Sequence, residues 1–83
     1  MPNSETRLVM YGAAWCPDVI WTKLYLKRHR VRFEYRDIDK NPDAMTELLA
    51  LRGKAWVVPT VVLADGTVLD NPSRQELANR LDL

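Results

Sequence analysis

The most β-prone run of this chain, Trp56-Val57-Val58-Pro59-Thr60-Val61-Val62-Leu63, is interrupted by a proline. Inside a sheet, proline removes a ladder hydrogen bond, so regular pairing must break at Pro59. A cis peptide bond before Pro59 accounts for the placement, because it ends the pairing and turns the Val58 backbone outward. A proline in an edge strand is the other reading that the residues leave open. Just downstream, Asp65-Gly66 is the strongest short hairpin signal in the chain, joining Thr60–Leu63 to Thr67-Val68-Leu69. An antiparallel pair therefore closes the sheet, and the elements before it must pack around that pair.

Those elements follow from local patterns. Arg7-Leu8-Val9-Met10-Tyr11-Gly12 reads as a short buried strand that leaves through glycine and small alanines. Pro17 suits a first helical turn, and Asp18 to about His29 contains no Gly or Pro. Val19, Thr22, Tyr25 and Leu26 share one face of that helix, while Trp21 and Leu24 fall off it. Val31 to Asp39 alternates, with Val31, Phe33, Tyr35 and Asp37 pointing one way, as a strand with one polar face. Asn41-Pro42-Asp43 supplies a cap, a first-turn proline and an acidic first turn. The helix that follows reaches Arg52, with Leu48, Leu49 and Leu51 as core candidates and Gly53 after its end. Ser73-Arg74-Gln75-Glu76 has the capping-box form, with Asn71-Pro72 as an alternative start. The last helix then runs from Gln75 to about Leu81 and buries Leu77 and Leu81.

The order is β-α-β-α-β-β-α. A strand, a crossover helix and a second strand must be parallel, with a right-handed connection. With the hairpin, this α/β chain should form a four-stranded mixed sheet with three helices on its faces. Its 83 residues suffice for one core, so residues 1–83 are expected to form a single domain.

Composition removes several functions. A formal net charge of +1 argues against nucleic-acid binding, which needs a clear basic excess. Lys27-Arg28-His29-Arg30 and Arg32 form a local basic cluster that suits a helix C-terminus, with partner docking as the alternative. Met1 to Arg7 are polar rather than leader-like, and no segment has the apolar length to span a bilayer. A lone cysteine cannot form an intramolecular disulfide. Together these point to the reducing cytoplasm and to no membrane partner.

That cysteine, Cys16, falls where the first strand ends and the first helix begins. First-turn N–H groups can donate to a sulfur there, and the helix dipole favours an anion. Both favour thiolate, which is the nucleophile in disulfide exchange. Trp15 would shield one side of the sulfur. A Val58 backbone exposed beside a thiolate would make a docking edge for an extended peptide or for glutathione. A buried structural thiol is the plainer alternative for Cys16. His29 reads as solvent-exposed, Trp21 and Trp56 as packing or partner surface, and Asp37 and Asp39 as turn and cap residues.

Trp15-Cys16-Pro17-Asp18, then Val58-Pro59-Thr60, a hairpin and a short final helix, resemble a glutaredoxin of the thioredoxin fold. The likeness runs from Leu8 to Leu81 and is greatest to the mycoredoxin and NrdH-like branch of small bacterial glutaredoxins. It implies a thiol–disulfide oxidoreductase in which Cys16 is the nucleophile. It also implies that Val58 and Pro59 hold the substrate's cysteinyl segment by the backbone. Asp70-Asn71-Pro72-Ser73 then occupies the turn that receives the γ-glutamyl end of glutathione.

Two positions depart from the family pattern. The lysine that helps bind glutathione is replaced by Ala13, which favours another small thiol such as mycothiol, or a protein substrate. Lys23 is the nearest alternative cation. A dithiol member would carry cysteine at position 19, where this chain has Val19. This leaves a monothiol reaction, a site disabled by substitution, or an engineered trap of the first half-reaction. The expected substrate site is Trp15, Pro17, Val58, Pro59, Asn71, Pro72 and Ser73 around Cys16, with no metal and no bound cofactor. A low-molecular-weight thiol would be co-substrate, and a thiol or a thioredoxin-reductase-type protein the reductant of a monomeric enzyme. The alternatives are a monothiol domain that binds an Fe–S cluster and a redox-inactive binding module.

Overall fold

The structure is a computed structural model that describes residues 8–83. The expectations for Met1 to Arg7, including Arg7 as a strand residue, lie outside the described residues. The elements are β1 (Leu8–Gly12), α1 (Pro17–Arg28), β2 (Phe33–Asp37), α2 (Pro42–Arg52), β3 (Thr60–Val62), β4 (Val68–Asp70) and α3 (Arg74–Leu81), with a 3-10 turn at Gly53–Ala55. The sheet order is β2-β1-β3-β4. β1 and β2 are parallel, whereas β1–β3 and β3–β4 are antiparallel. This is the mixed sheet that the order of elements requires.

Side chains of β1 alternate between two cores because successive residues of a strand face opposite sides of a sheet. Leu8 and Met10 join Val19, Leu26, Val61, Leu69 and Leu77 under α1 and α3. Val9 and Tyr11 instead meet Ile38, Ala44 and Leu48 under α2. Cys16 belongs to the first of these cores, and Ala13 to the second.

Several boundaries differ from expectation. The second strand begins at Phe33, not Val31, because the chain is still leaving α1: Arg30 takes a positive φ, and the Val31 N–H donates to the Leu26 carbonyl. It ends at Asp37, whose carboxylate accepts the Asp39 and Lys40 N–H groups and so turns the chain. Leu49 and Leu51 are exposed rather than core, at 43% and 39%. The inward stripe of α2 is Ala44 and Leu48, and it continues to Arg52, whose Nε donates to Asp70 Oδ1 at 2.8 Å and whose Nη2 reaches the Val68 carbonyl. Leu49 lies about 100° around the helix from Leu48, too far to turn inward with it. α3 starts after a Ser73 cap whose Oγ accepts the Glu76 N–H at 3.0 Å, so Asn71-Pro72 is not its start. Leu77 is buried, while Leu81 is only half-buried.

The Asp65-Gly66 turn forms, with Gly66 at φ +94° and Asp65 Oδ1 accepting the Thr67 N–H. That hydrogen bond holds the Asp65 carboxyl below its ordinary range.

Gly12 is required by close approach. A Cβ there would lie 2.8 Å from Val19 Cγ1 and 2.9 Å from Tyr35 Cε1. Gly12→Ala should therefore cost about 1–3 kcal/mol by overpacking. Thermal unfolding would show a lowered Tm, and adding Val19→Ala should restore part of the loss. Equal losses in Gly12→Ala with and without Val19→Ala would contradict this contact.

Candidate functional site at the start of α1

The chain turns sharply after β1, where the Cys16 N–H donates to the Ala13 carbonyl at 3.1 Å. Cys16 is the extended N-cap of α1 (φ −88°, ψ 118°), and Pro17 takes a first-turn position without the cost of a missing donor. The sequence suggests that first-turn N–H groups donate to the sulfur; the structure differs. The Cys16 carbonyl takes the Val19 and Ile20 N–H groups at 3.1 and 3.2 Å, and Sγ makes no capping bond. The thiol faces the Val58 carbonyl instead, at 3.8 Å, and Cys16 keeps 8% of its surface exposed.

The Val58–Pro59 bond is cis, and β3 begins only after it, so Pro59 lies outside the ladder. Three consecutive carbonyls here serve three different segments. Val57 O accepts the Thr60 hydroxyl at 2.6 Å. Val58 O faces Cys16 Sγ. Pro59 O accepts the Asn71 N–H at 2.7 Å. The Val58 N–H has no hydrogen-bond partner among the described residues.

Asn71 stands at positive φ (+44°), a conformation that asparagine tolerates better than most residues. Its Nδ2 donates to Asp18 Oδ2 at 3.3 Å, so the turn before α3 is tied to both the Pro59 loop and the first turn of α1. Pro72 is buried behind it. Asp18 thus serves more than the helix N-terminus.

Trp15 is mostly exposed, and its indole Nε1 donates to Asp39 Oδ2 at 2.7 Å. Sequence reasoning treats Asp39 only as a turn residue. The Asp37 turn that places it is legible in the sequence, but a partner 24 residues away is not. Lys23, the alternative cation, has its Nζ over the Tyr35 ring at 3.9 Å from the centroid. Ala13 is fully buried, so position 13 presents nothing to a ligand. His29 is exposed and packs on Tyr25, with the ring centroids 4.5 Å apart.

A family model described as Glutaredoxin matches residues 8–69, most of the chain. The chain is a member of the glutaredoxin family. Two relatives from strains of Mycobacterium tuberculosis, provisionally named glutaredoxins, are 34% identical over 74 residues, covering 89% of this chain and 88% of theirs. The thioredoxin-like protein BC3987 superposes with a TM-score of 0.77 at 29% identity, covering 87% of this chain and 96% of its own. The glutaredoxin of Archaeoglobus fulgidus gives 0.74 at 27% identity, over 92% and 86%. The fold of this glutaredoxin is therefore thioredoxin-like. The matched span contains Cys16, Val58 and Pro59 and stops short of Asn71, Pro72 and Ser73. Asn71 joins the site by its bonds to Pro59 and Asp18, while Ser73 serves as the cap of α3.

Position 19 is filled tightly. Val19 is fully buried one turn from Cys16, and a Cβ on Gly12 would meet both Val19 and Tyr35. The Tyr35 hydroxyl is buried with no partner among the described residues. Burial, then the Asp37 and Asp39 charges and the Cys16 sulfur, push that phenol above its ordinary range. Because burial disfavours the phenolate, the folded state holds this proton more tightly than the unfolded chain, so stability falls as pH rises above about 10 and through the folded-state value. Tyr35→Phe removes the unsatisfied group and should raise stability near pH 7 by about 1 kcal/mol. It should also shrink the loss of stability above pH about 10. Urea unfolding at both pH values measures it, and a destabilised variant would mean that the hydroxyl has a partner.

Proposed function

We propose that this glutaredoxin is a monothiol thiol–disulfide oxidoreductase whose nucleophile is Cys16. The observation that carries this reading is the Cys16 sulfur at the start of α1, 3.8 Å from the Val58 carbonyl beside the cis proline. A Cys16 thiolate attacks one sulfur of a substrate disulfide. A new S–S bond joins Cys16 to that sulfur, and the other sulfur leaves as a thiolate that takes a proton from solvent. The substrate's backbone can pair with the Val58 N–H, which has no partner among the described residues, and this aligns the three sulfurs. Loss of the Sγ contact to Val58 O on deprotonation leaves that carbonyl free to accept from the same segment.

Completion needs a second thiol, and this chain has only one cysteine. With Val19 one turn from Cys16, an external thiolate must attack the mixed disulfide, carry away its substrate sulfur in a new disulfide, and release Cys16 as thiolate. A low-molecular-weight thiol fits that role, as does a thioredoxin-reductase-type protein coupled to it. Buried Ala13 and the engaged Lys23 argue for mycothiol or a similar thiol over glutathione.

Turnover of a cysteinyl-peptide mixed disulfide, followed with added mycothiol and with added glutathione, tests this. The rate should rise in proportion to the added thiol, steeper for mycothiol, and vanish in Cys16→Ser. Val19→Cys should form an intramolecular disulfide on oxidation, lighter by two hydrogens in intact mass, and its turnover should lose the proportional thiol dependence. Full activity in Cys16→Ser contradicts the proposal. Absence of exchange with a visible chromophore after anaerobic reconstitution would favour an Fe–S domain instead.

A further inference from the structure

Trp21 and Leu24 are the residues that break the amphipathic pattern of α1, and the structure leaves them outside both cores at 67% and 48% exposure. With Tyr25 and Arg28 they form one wall of a groove whose other wall is Pro72, Arg74 and Leu77 of the α3 segment. Thr22, Pro72 and Leu77 are buried along it, so the trough has a firm, mostly apolar lining. Asp18 and Asn71 also line it, and these two residues adjoin Cys16 and Pro59. The Asp18–Asn71 end of the groove therefore lies beside the proposed exchange site.

We infer that this groove docks an acidic, apolar segment of the disulfide-bearing protein that Cys16 attacks, an inference that rests on the proposed exchange reaction. Length favours a peptide over a small thiol. Asp18 to Arg28 is eleven residues of helix, a rise of about 15 Å, which an extended chain covers with four or five residues. Charge sets the kind of peptide. Arg28 on one wall and Arg74 on the other have no carboxylate partner among the described residues. Asp18, the one carboxylate lining the groove among the described residues, already accepts from Asn71. Apolar side chains on Trp21 and Leu24, flanked by carboxylates that meet the two arginines, satisfy both features. Tryptophan and arginine are also among the residue types most enriched at the energetic hot spots of interfaces.

The test uses the capped peptide Cys-Gly-Phe-Glu-Leu-Glu, activated as its pyridyl disulfide, with a version carrying Lys for both Glu. Release of pyridinethione is followed at sub-saturating peptide and divided by the rate with dithiodipyridine, which reads Cys16 alone. The native protein should prefer the acidic peptide by about tenfold. Trp21→Ala and Arg28→Glu should each lower the acidic-peptide ratio by about tenfold, and Arg28→Glu should raise the lysine-peptide ratio. Equal ratios for the two peptides, or ratios that neither variant changes, would overturn the inference. A concentration-dependent dimer abolished by Trp21→Ala would overturn it in favour of a second copy of the chain. Failure of Cys16 with every probe would sink the exchange reading itself. In that event anisotropy of a labelled peptide with serine for cysteine decides on the groove: saturable binding weakened by Arg28→Glu supports it, and absence of saturation overturns it.

Discussion

Three successive carbonyls, those of Val57, Val58 and Pro59, hold the candidate site together. Each faces a different part of the chain: the Thr60 hydroxyl at the start of β3, the Cys16 thiol at the start of α1, and the Asn71 N–H before α3. Pro59 is what makes this possible. It has no N–H to offer a neighbouring strand, so the ladder with β1 begins only at Thr60 and the preceding carbonyls remain free to turn elsewhere. Asn71 closes the ring by reaching Asp18, beside the cysteine. Cys16, the Val58–Pro59 segment and the last turn thus come together mainly through backbone carbonyls, with the Asn71–Asp18 side-chain bond closing the ring.

Under the proposed exchange reading, this arrangement needs little catalytic machinery. Disulfide exchange needs one sulfur in line with two others and a means of holding the substrate, and no acid–base group is required beyond solvent. Val19 shapes the reaction that remains. It fills position 19 with branched hydrocarbon against Gly12, which excludes both a second thiol and any larger residue at position 12. Tyr35 completes that packing, with Lys23 above its ring and its hydroxyl unpaired among the described residues. On the proposed reading, a protein with one thiol depends on a partner to finish the exchange, so the surface beside the thiol matters as much as the thiol. Trp21, Leu24 and Arg28 lie on that surface.

Much of this was legible in the sequence because it rests on local rules. Pro59 announced a break in the ladder, Asp65-Gly66 the hairpin, Ser73 and Asn41 their caps, and Cys16-Pro17 a cysteine at a helix start. Contacts between distant segments were not legible. Nothing near Asp39 indicates that it accepts from Trp15, and nothing near Asn71 indicates its bonds to Pro59 and Asp18. Leu49 and Leu51 were misread because hydrophobicity alone cannot say which side of α2 meets the sheet, and Arg52 took the inward stripe by reaching β4. The sulfur's partner was misread for a similar reason: the local helix start suggested N–H donors, whereas a carbonyl 42 residues away faces the thiol. The misfit of Trp21 and Leu24 in α1, by contrast, was a true signal, since both stay outside the core.

On the proposed reading, a substrate joined to Cys16 lies along Val58 and is held there by the backbone. Amide chemical shifts of the isotopically labelled protein, recorded before and after a cysteinyl peptide is attached to Cys16 as a mixed disulfide, test it most directly. The largest changes are expected at Val58 and Asn71, together with slowed hydrogen exchange of the Val58 N–H. Formation of the adduct with changes confined to α2, and with Val58 exchange as fast as before, would contradict it.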